Sequence, residues 1–208
     1  IELINKKTDL ILHKPNSSIL FDERLKTKGS SKKDFIINDI NLIFEKEKKV
    51  DALICNFDLQ IPLVNNAQNL FKNIYDILNK DGYFCFNLLT LNSFDTLQKI
   101  FLEIDDNVFN GAQLRFGPFH DISKIISDLN HNKFKEVVVS TESLEVNYKS
   151  LNKIRKDFKE LGISNYYREK SLSNKTFFIK TTSLFKELVA KYDHIPVEIK
   201  ISTFTSWK

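Results

Sequence analysis

Residues 50–91 combine two apolar runs with a stretch of helical period, and the rest of the chain is organised around them. Val50–Phe57 is a short apolar run that ends on polar residues, which is typical of a strand buried on both faces. Over residues 63–78, apolar positions recur at three- and four-residue spacing and predict a helix with one buried stripe. A left-handed turn at Gly82 is expected to end this helix. Tyr83–Leu89 is then a second buried strand, so the stretch predicts a right-handed parallel strand, helix and strand unit.

The pattern on either side of this unit predicts one doubly wound, mostly parallel α/β domain over residues 1–208, with its amino-terminal part shortened or missing. Ser93 is a candidate helix N-cap, and residues 105–119 lack a clear period and predict a long loop over the carboxyl edge of the sheet. Further strands are predicted at Thr8–Leu12, Ile19–Phe21, Phe35–Ile37, Phe134–Tyr148 and Pro196–Trp207, and further helices at 40–47, 93–104, 121–130, 151–161 and 177–189.

Charge and cysteine content narrow the class of protein. The net charge of +4 arises from 31 basic and 27 acidic residues spread along the chain, so a nucleic-acid-binding protein is not expected. Cys55 and Cys85 fall inside predicted buried strands and are expected to be reduced core residues, with no metal site. The sequence has neither an apolar run of membrane-spanning length nor an export signal at its start, which predicts a cytoplasmic protein.

Polar residues at strand ends are the candidate binding residues, because open α/β sheets bind ligands outside the carboxyl ends of their strands. Asp22 is placed to accept the hydroxyls of a ribose, Asn38 and Asp39 to contact an adenine edge, and Asn56 follows the central strand. Each of these residues could instead be an ordinary solvated strand end. Arg115, in the predicted loop, could bind a carboxylate or phosphate, or be a surface arginine stacked on an aromatic ring.

No catalytic constellation is evident. The four histidines are scattered and are expected to be surface or hydrogen-bonded residues, and no glycine-rich phosphate loop is present.

Several segments carry a resemblance to a known family. From about Asp51 to Trp207 the chain resembles class I S-adenosylmethionine-dependent methyltransferases, in particular the group containing the biotin-synthesis malonyl-acyl-carrier-protein O-methyltransferase and the complex I assembly methyltransferase-like protein. The segments that carry the resemblance are Asp51–Asn56, Ile77–Phe84, Arg115–Phe119, Val146–Tyr148, Leu161–Asn165, Ile195–Pro196 and Ser206–Lys208.

This resemblance implies a Rossmann-like sheet of seven strands, whose last strand, Val197–Phe204, is antiparallel and lies beside the strand at Phe134–Tyr148. It also implies an S-adenosylmethionine site without a metal, and a substrate side formed by the convergence of Arg115, Phe119, Tyr148 and Asn165. The expected substrate is a small molecule, a carrier protein or a protein, with methyl transfer to a carboxylate or to a protein side chain.

The sequence departs from the family where the cofactor should bind. His13–Ser18 replaces a glycine-rich loop, so each of its residues carries a β-carbon, and Pro15 also lacks an amide donor. Gln60–Pro62 replaces a His-Trp pair of the family. We therefore expect weak or absent cofactor binding, which leaves two hypotheses open: an active methyltransferase, or a non-catalytic interaction or assembly factor with a decayed cofactor pocket.

Overall fold

The computed structural model describes residues 18–21, 34–37, 49–160 and 173–208, and for residues 18–21 and 34–37 it describes the backbone alone. Contacts divide the chain into two compact units. The first unit comprises Ile1–Leu91, His120–Glu142 and Ile201–Lys208, and the second comprises Asn92–Phe119 and Ser143–Lys200. That residues 1–208 form a single domain stays a prediction.

The elements follow the predicted alternation of strands and helices. The strands are β1 (Ser18–Phe21), β2 (Asp34–Ile37), β3 (Val50–Asn56), β4 (Leu78–Leu89), β5 (Lys135–Tyr148) and β6 (Ile195–Trp207). The helices are α1 (Pro62–Ile77), α2 (Asp95–Phe109), α3 (Ile122–His131), α4 (Leu151–Glu160) and α5 (Lys175–Tyr192). The predicted strand at Thr8–Leu12 and the predicted helix at 40–47 lie outside the described residues.

The described strands form one six-stranded sheet in the order β2-β1-β3-β4-β6-β5. Strands β2, β1, β3 and β4 are parallel to one another, and β6 is antiparallel to β4, with Tyr83 opposite Trp207 and Leu89 opposite Ile201. The α/β class with a mostly parallel sheet is therefore confirmed. The count of seven strands stays a prediction.

The core of the first unit lies between the sheet and helices α1 and α3. The rings of Phe84, Phe86 and Phe204 stack in a row across β4 and β6, at centroid distances of 4.5 and 4.9 Å. Phe71, on the buried stripe of α1, packs its ring edge-on against Phe84 at 6.3 Å. The apolar residues that recur at helical spacing over residues 63–78 therefore form the stripe of α1 that packs on this aromatic layer.

The chain between α1 and the main part of β4 differs from the prediction. The helix ends at Ile77, and Asp81 rather than Gly82 adopts positive φ, at 61°. A β-carbon on Gly82 would lie 2.9 Å from the Asn79 carbonyl oxygen and 3.1 Å from the Asp51 carbonyl oxygen. Glycine is therefore needed here because the Asn79 carbonyl and the backbone of β3 pass close to it, not for a left-handed turn.

The start of the second unit corrects two further predictions. Helix α2 begins at Asp95 after Phe94, whose φ is 63°, and Ser93 does not cap it. The Ser93 hydroxyl instead donates to the Lys200 carbonyl at 3.1 Å and accepts from the Lys200 amide at 2.9 Å. Helix α2 also continues to Phe109, so the predicted loop of residues 105–119 is shorter than expected. The lack of a clear period had predicted a loop here, but Asp105 is buried in the helix and its carboxylate binds Arg115.

Candidate functional site

Buried amides join the carboxyl ends of β3 and β4 in the first unit. Asn56 and Asn87 are opposite one another in the parallel register and are 6% and 2% exposed. The Asn87 side-chain amide donates to Asn56 Oδ1 at 3.0 Å, and its own Oδ1 accepts from the Phe57 amide at 2.9 Å. Because an amide buried without a partner costs about 1–3 kcal/mol, these bonds hold the two strand ends together.

Gln60 fixes the turn that follows β3 onto the end of β4. Its Nε2 donates to the Leu89 carbonyl and its Oε1 accepts from the Leu89 amide, both at 2.9 Å. The buried side chain thereby supplies the pair of hydrogen bonds that a neighbouring strand would supply. The turn between β3 and α1 is therefore held rigidly at the carboxyl edge of the sheet.

His120 is held at the same edge by three hydrogen bonds. Its backbone pairs with β4 through His120 N to Leu89 O at 3.2 Å and Leu91 N to His120 O at 3.1 Å. Its ring Nε2 lies 2.7 Å from the Gln60 carbonyl oxygen. Since a carbonyl only accepts, Nε2 carries a proton.

The environment of His120 favours the neutral imidazole. Burial lowers the pKa of His120 below its ordinary value, the hydrogen bond to the Gln60 carbonyl opposes this shift, and the charge of Lys124 adds to it. With the proton on Nε2, Nδ1 of the neutral ring is a hydrogen-bond acceptor.

Together these groups make the described part of the edge polar, and Asp58, in the turn after β3, adds a carboxylate. Amides and a neutral imidazole offer donors and acceptors of the kind that match a purine edge or a neutral polar substrate. Asp22, Asn38 and Asp39, the other predicted cofactor residues, lie outside the described residues, so their roles stay predictions.

Arg115, predicted to bind substrate, is engaged inside the second unit. Its Nε lies 3.1 Å from both carboxylate oxygens of Asp105, and its Nη2 also donates to Asp105. The guanidinium carbon lies 3.8 Å from the ring centroid of Phe177. The Asp105 side chain is fully buried and that of Arg115 is 10% exposed. A substrate carboxylate would therefore compete with a buried partner, and substrate binding by Arg115 stays a prediction.

Phe119 and Tyr148, also predicted for the substrate side, occupy different surroundings in the second unit. Phe119 stacks on Phe94 with 5.7 Å between ring centroids. The Tyr148 hydroxyl donates to Asp157 Oδ2 at 3.0 Å, and burial, followed by this contact, raises the pKa of Tyr148 to about 12. Asn165 lies outside the described residues. The convergence of these residues with Arg115 therefore stays a prediction.

Sequence reasoning did not select Gln60, Asn87 or His120 as site residues. Asn87 follows the apolar run Tyr83–Phe86, so the strand-end argument applied to Asn56 would have found it. His120 was expected to be a surface or hydrogen-bonded histidine, and it is hydrogen-bonded. Its position beside Gln60 depends on a contact between segments 60 residues apart, for which the sequence carries no signal.

No group of three or more His, Cys, Asp or Glu side chains among the described residues could hold a metal ion. No helix in the described part of the chain is long and apolar enough to cross a membrane.

Comparison with solved structures identifies the class of fold. A crystal structure from Bacillus halodurans C-125, described as that of a candidate methyltransferase, superposes with a TM-score of 0.51 at 9% identity. The match covers 99% of this chain and 98% of that one. The chain has the α/β Rossmann-like fold of S-adenosylmethionine-dependent methyltransferases, and its resemblance to class I enzymes is confirmed.

Among curated proteins, the chain is similar to the mitochondrial arginine-hydroxylase NDUFAF5. Identity is 24% over 172 residues with the Dictyostelium discoideum protein, covering 78% of this chain and 37% of that protein. With the Homo sapiens protein it is 23% over 181 residues, covering 83% of this chain and 50% of that protein. The chain thus spans half or less of the length of these relatives, and no family model matches it.

These relatives overturn the expected location. The prediction of a cytoplasmic protein is wrong, because the curated relatives are mitochondrial proteins. The prediction relied on the residues at the start of the chain, and a sequence that matches only part of its relatives does not support that argument.

Proposed function

We propose that this chain is the methyltransferase-fold part of a mitochondrial protein of the complex I assembly type, and that it modifies a side chain of a protein substrate. Similarity to NDUFAF5 over 78% to 83% of the chain supports this proposal. Because these relatives are named arginine-hydroxylases, an arginine side chain is the first acceptor to test.

The residues at the carboxyl ends of β3 and β4 give the proposal its chemistry. Bound S-adenosylmethionine would supply an electrophilic methyl group and leave as S-adenosylhomocysteine, and methyl transfer to an arginine nitrogen would release one proton. Asn56 would orient the ligand, while Asn87 and the Gln60 clamp keep the ends of β3 and β4 in place. Such sites work mainly by aligning reactants and excluding water, so the absence of a catalytic triad is no obstacle.

The second hypothesis is an assembly factor without catalysis. It is favoured by the loop His13–Ser18, which contains no glycine. Arg115 also supports it, because the guanidinium is already paired with a carboxylate of the chain. In this case the fold serves as a binding surface, and the ligand site at the sheet edge is a remnant.

Isothermal titration calorimetry with S-adenosylhomocysteine separates the two hypotheses. A dissociation constant in the micromolar range that weakens about tenfold or more in Asn87→Ala supports a working cofactor site at this edge. Millimolar or undetectable binding supports the assembly factor.

The substrate is tested by incubating the chain with S-adenosylmethionine and complex I subunits and analysing arginine residues by mass spectrometry. The gain of one methyl group supports methyl transfer. If the cofactor binds but no side chain of these subunits is altered, the proposed class of substrate is wrong.

A further inference from the structure

We infer that a groove in the second compact unit binds an aromatic carboxylate. The groove holds about 570 Å³ and lies between the first half of α2, the end of α5 and the start of β6. Binding sites for small molecules hold about 300–1,000 Å³, so the groove is large enough for such a ligand. The described residues that line it all belong to the second unit. The inference is independent of the proposed function.

Helices α2 and α5 form two walls of the groove and pack directly on each other. The rings of Phe101 on α2 and Phe177 on α5 stack with 6.3 Å between their centroids. Towards the other end of α5, four residues supply the apolar lining of the groove: Ile100, Leu188, Ile195 and Pro196. Because the two helical walls are already packed together, the groove exists before a ligand binds, and little ordering opposes binding.

Two exposed residues of the lining favour an aromatic ligand. Tyr192 is 57% exposed, and Pro196 is also exposed. Lys191 Nζ lies 4.9 Å from the centroid of the Tyr192 ring and covers one of its faces. An aromatic ring can stack on the other face, with a gain beyond the apolar area that it buries. The apolar part of the ligand is therefore an aromatic ring.

Lys99 provides the positive charge that selects a carboxylate. It lines the groove from α2, is exposed, and forms no ion pair with any described residue. Asp95 and Glu103, about one turn before and one turn after Lys99, are exposed and do not line the groove. An ammonium group beside an apolar surface fits a ligand that joins a carboxylate to a ring, because a charge-assisted hydrogen bond forms at one end of the ligand.

The acid next to the lining residue His194 is already compensated. Asp193 does not line the groove, and its Oδ2 lies 3.6 Å from His194 Nδ1. Both carboxylate oxygens of Asp193 also accept from Lys149 Nζ, at 2.9 and 2.8 Å. The charge of Asp193 is therefore offset by Lys149 and does not oppose an anion in the groove.

A titration of the 208-residue chain with naphthalene-2-carboxylate, followed by NMR spectra of the backbone amides, tests the site. We expect a dissociation constant of about 1 mM or below, with shift changes concentrated in residues 96–100 and 188–196. Naphthalene-2-carboxamide has the same rings without the charge. It should bind about fivefold more weakly, since an exposed ion pair contributes up to about this factor.

Lys99→Gln is the variant that tests charge selection, and Lys186→Gln is its matched control. Both lysines are exposed on helices of the second unit, but Lys186 does not line the groove. Lys99→Gln should weaken binding of the carboxylate about fivefold and leave binding of the carboxamide unchanged. Lys186→Gln should leave both affinities unchanged. The spectrum of each free variant shows directly that its fold is intact.

Two kinds of result contradict the inference. Absence of binding up to about 10 mM carboxylate, or shift changes concentrated outside the groove, overturns the site itself. Equal affinities for the two ligands, or an affinity for the carboxylate that Lys99→Gln leaves unchanged, overturn the selection of a carboxylate.

Discussion

Replacing Arg115 by methionine is the most direct test of how the second unit is built. The change keeps an unbranched side chain that can lie on Phe177 but removes the guanidinium that binds Asp105. The Asp105 carboxylate is fully buried, and it also accepts a hydrogen bond from the Gln113 backbone amide at 3.2 Å. Breaking one partner of a buried ion pair costs about 3–5 kcal/mol, because a charge remains without compensation.

The expected loss can be measured by urea unfolding followed by circular dichroism. For a chain of this size, a loss of about 3–5 kcal/mol corresponds to a fall in Tm of roughly 6–20 °C. Arg155→Met is the matched control, since this exposed arginine lies over the Phe178 ring at 5.2 Å and should contribute about 1 kcal/mol or less.

The double variant Asp105→Leu with Arg115→Met separates the lost pair from the uncompensated charge. Removing both charges should recover most of the stability, because apolar replacement of a buried pair is often close to neutral. A loss below about 1 kcal/mol in Arg115→Met would show that the ion pair does not form in solution. Arg115 would then be available to a substrate carboxylate, as the sequence suggested.

Four further substitutions at single sites have expected outcomes. Gly82→Ala should destabilise the chain by about 1–3 kcal/mol in urea unfolding because its β-carbon would meet backbone oxygens. Gly111→Ala should change stability by less than about 1 kcal/mol, since no atom lies within 4 Å of the new carbon. The pKa of His120 is lowered on folding, so its contribution to stability is present above pH 6.5 and is lost as pH falls towards the folded pKa. The Tm of a His120→Gln variant should therefore lose this part of its dependence on acid pH. The pKa of Tyr148 is raised from 10.0 to about 12, so stability should fall as pH rises through that window, and the fall should be smaller in Tyr148→Phe. Equal pH profiles for a variant and the parent chain would contradict either titration assignment.

The predictions for Ser93 and Gly82 were wrong because tertiary contacts, and not the local preferences of these residue types, decide their roles. Ser93 precedes a helix and is a good N-cap by residue type, yet its hydroxyl bonds to the backbone of Lys200, 107 residues away. Gly82 follows a helix and suits a left-handed turn, yet it is required because the backbones of Asn79 and Asp51 pass close to it. In each case a segment distant in sequence takes part: the backbone of Lys200 for Ser93, and the backbone of Asp51 for Gly82.

The pattern of apolar residues was by itself enough to predict the central strand, helix and strand unit of this protein. Continuous apolar runs predicted β3 and β4, and the three- and four-residue period predicted α1. A strand buried on both faces needs consecutive apolar residues, and a helix buried on one stripe needs them at that period, so both patterns can be recognised from the sequence. The polar residue that ends β3, Asn56, was likewise a strand-end residue in the structure.

Only the tertiary structure decided which polar groups share a site. The side-chain amide of Asn87 on β4 donates to Asn56 on the neighbouring strand β3. The ring of His120, which follows β4 in the chain, lies beside the carbonyl oxygen of Gln60, which precedes β4. Asp105 takes up the charge of Arg115, which the sequence alone left open to a substrate. A hydrogen bond or ion pair requires its partner within about 3–4 Å, and that distance is set by how the strands align, not by the order of residues along the chain.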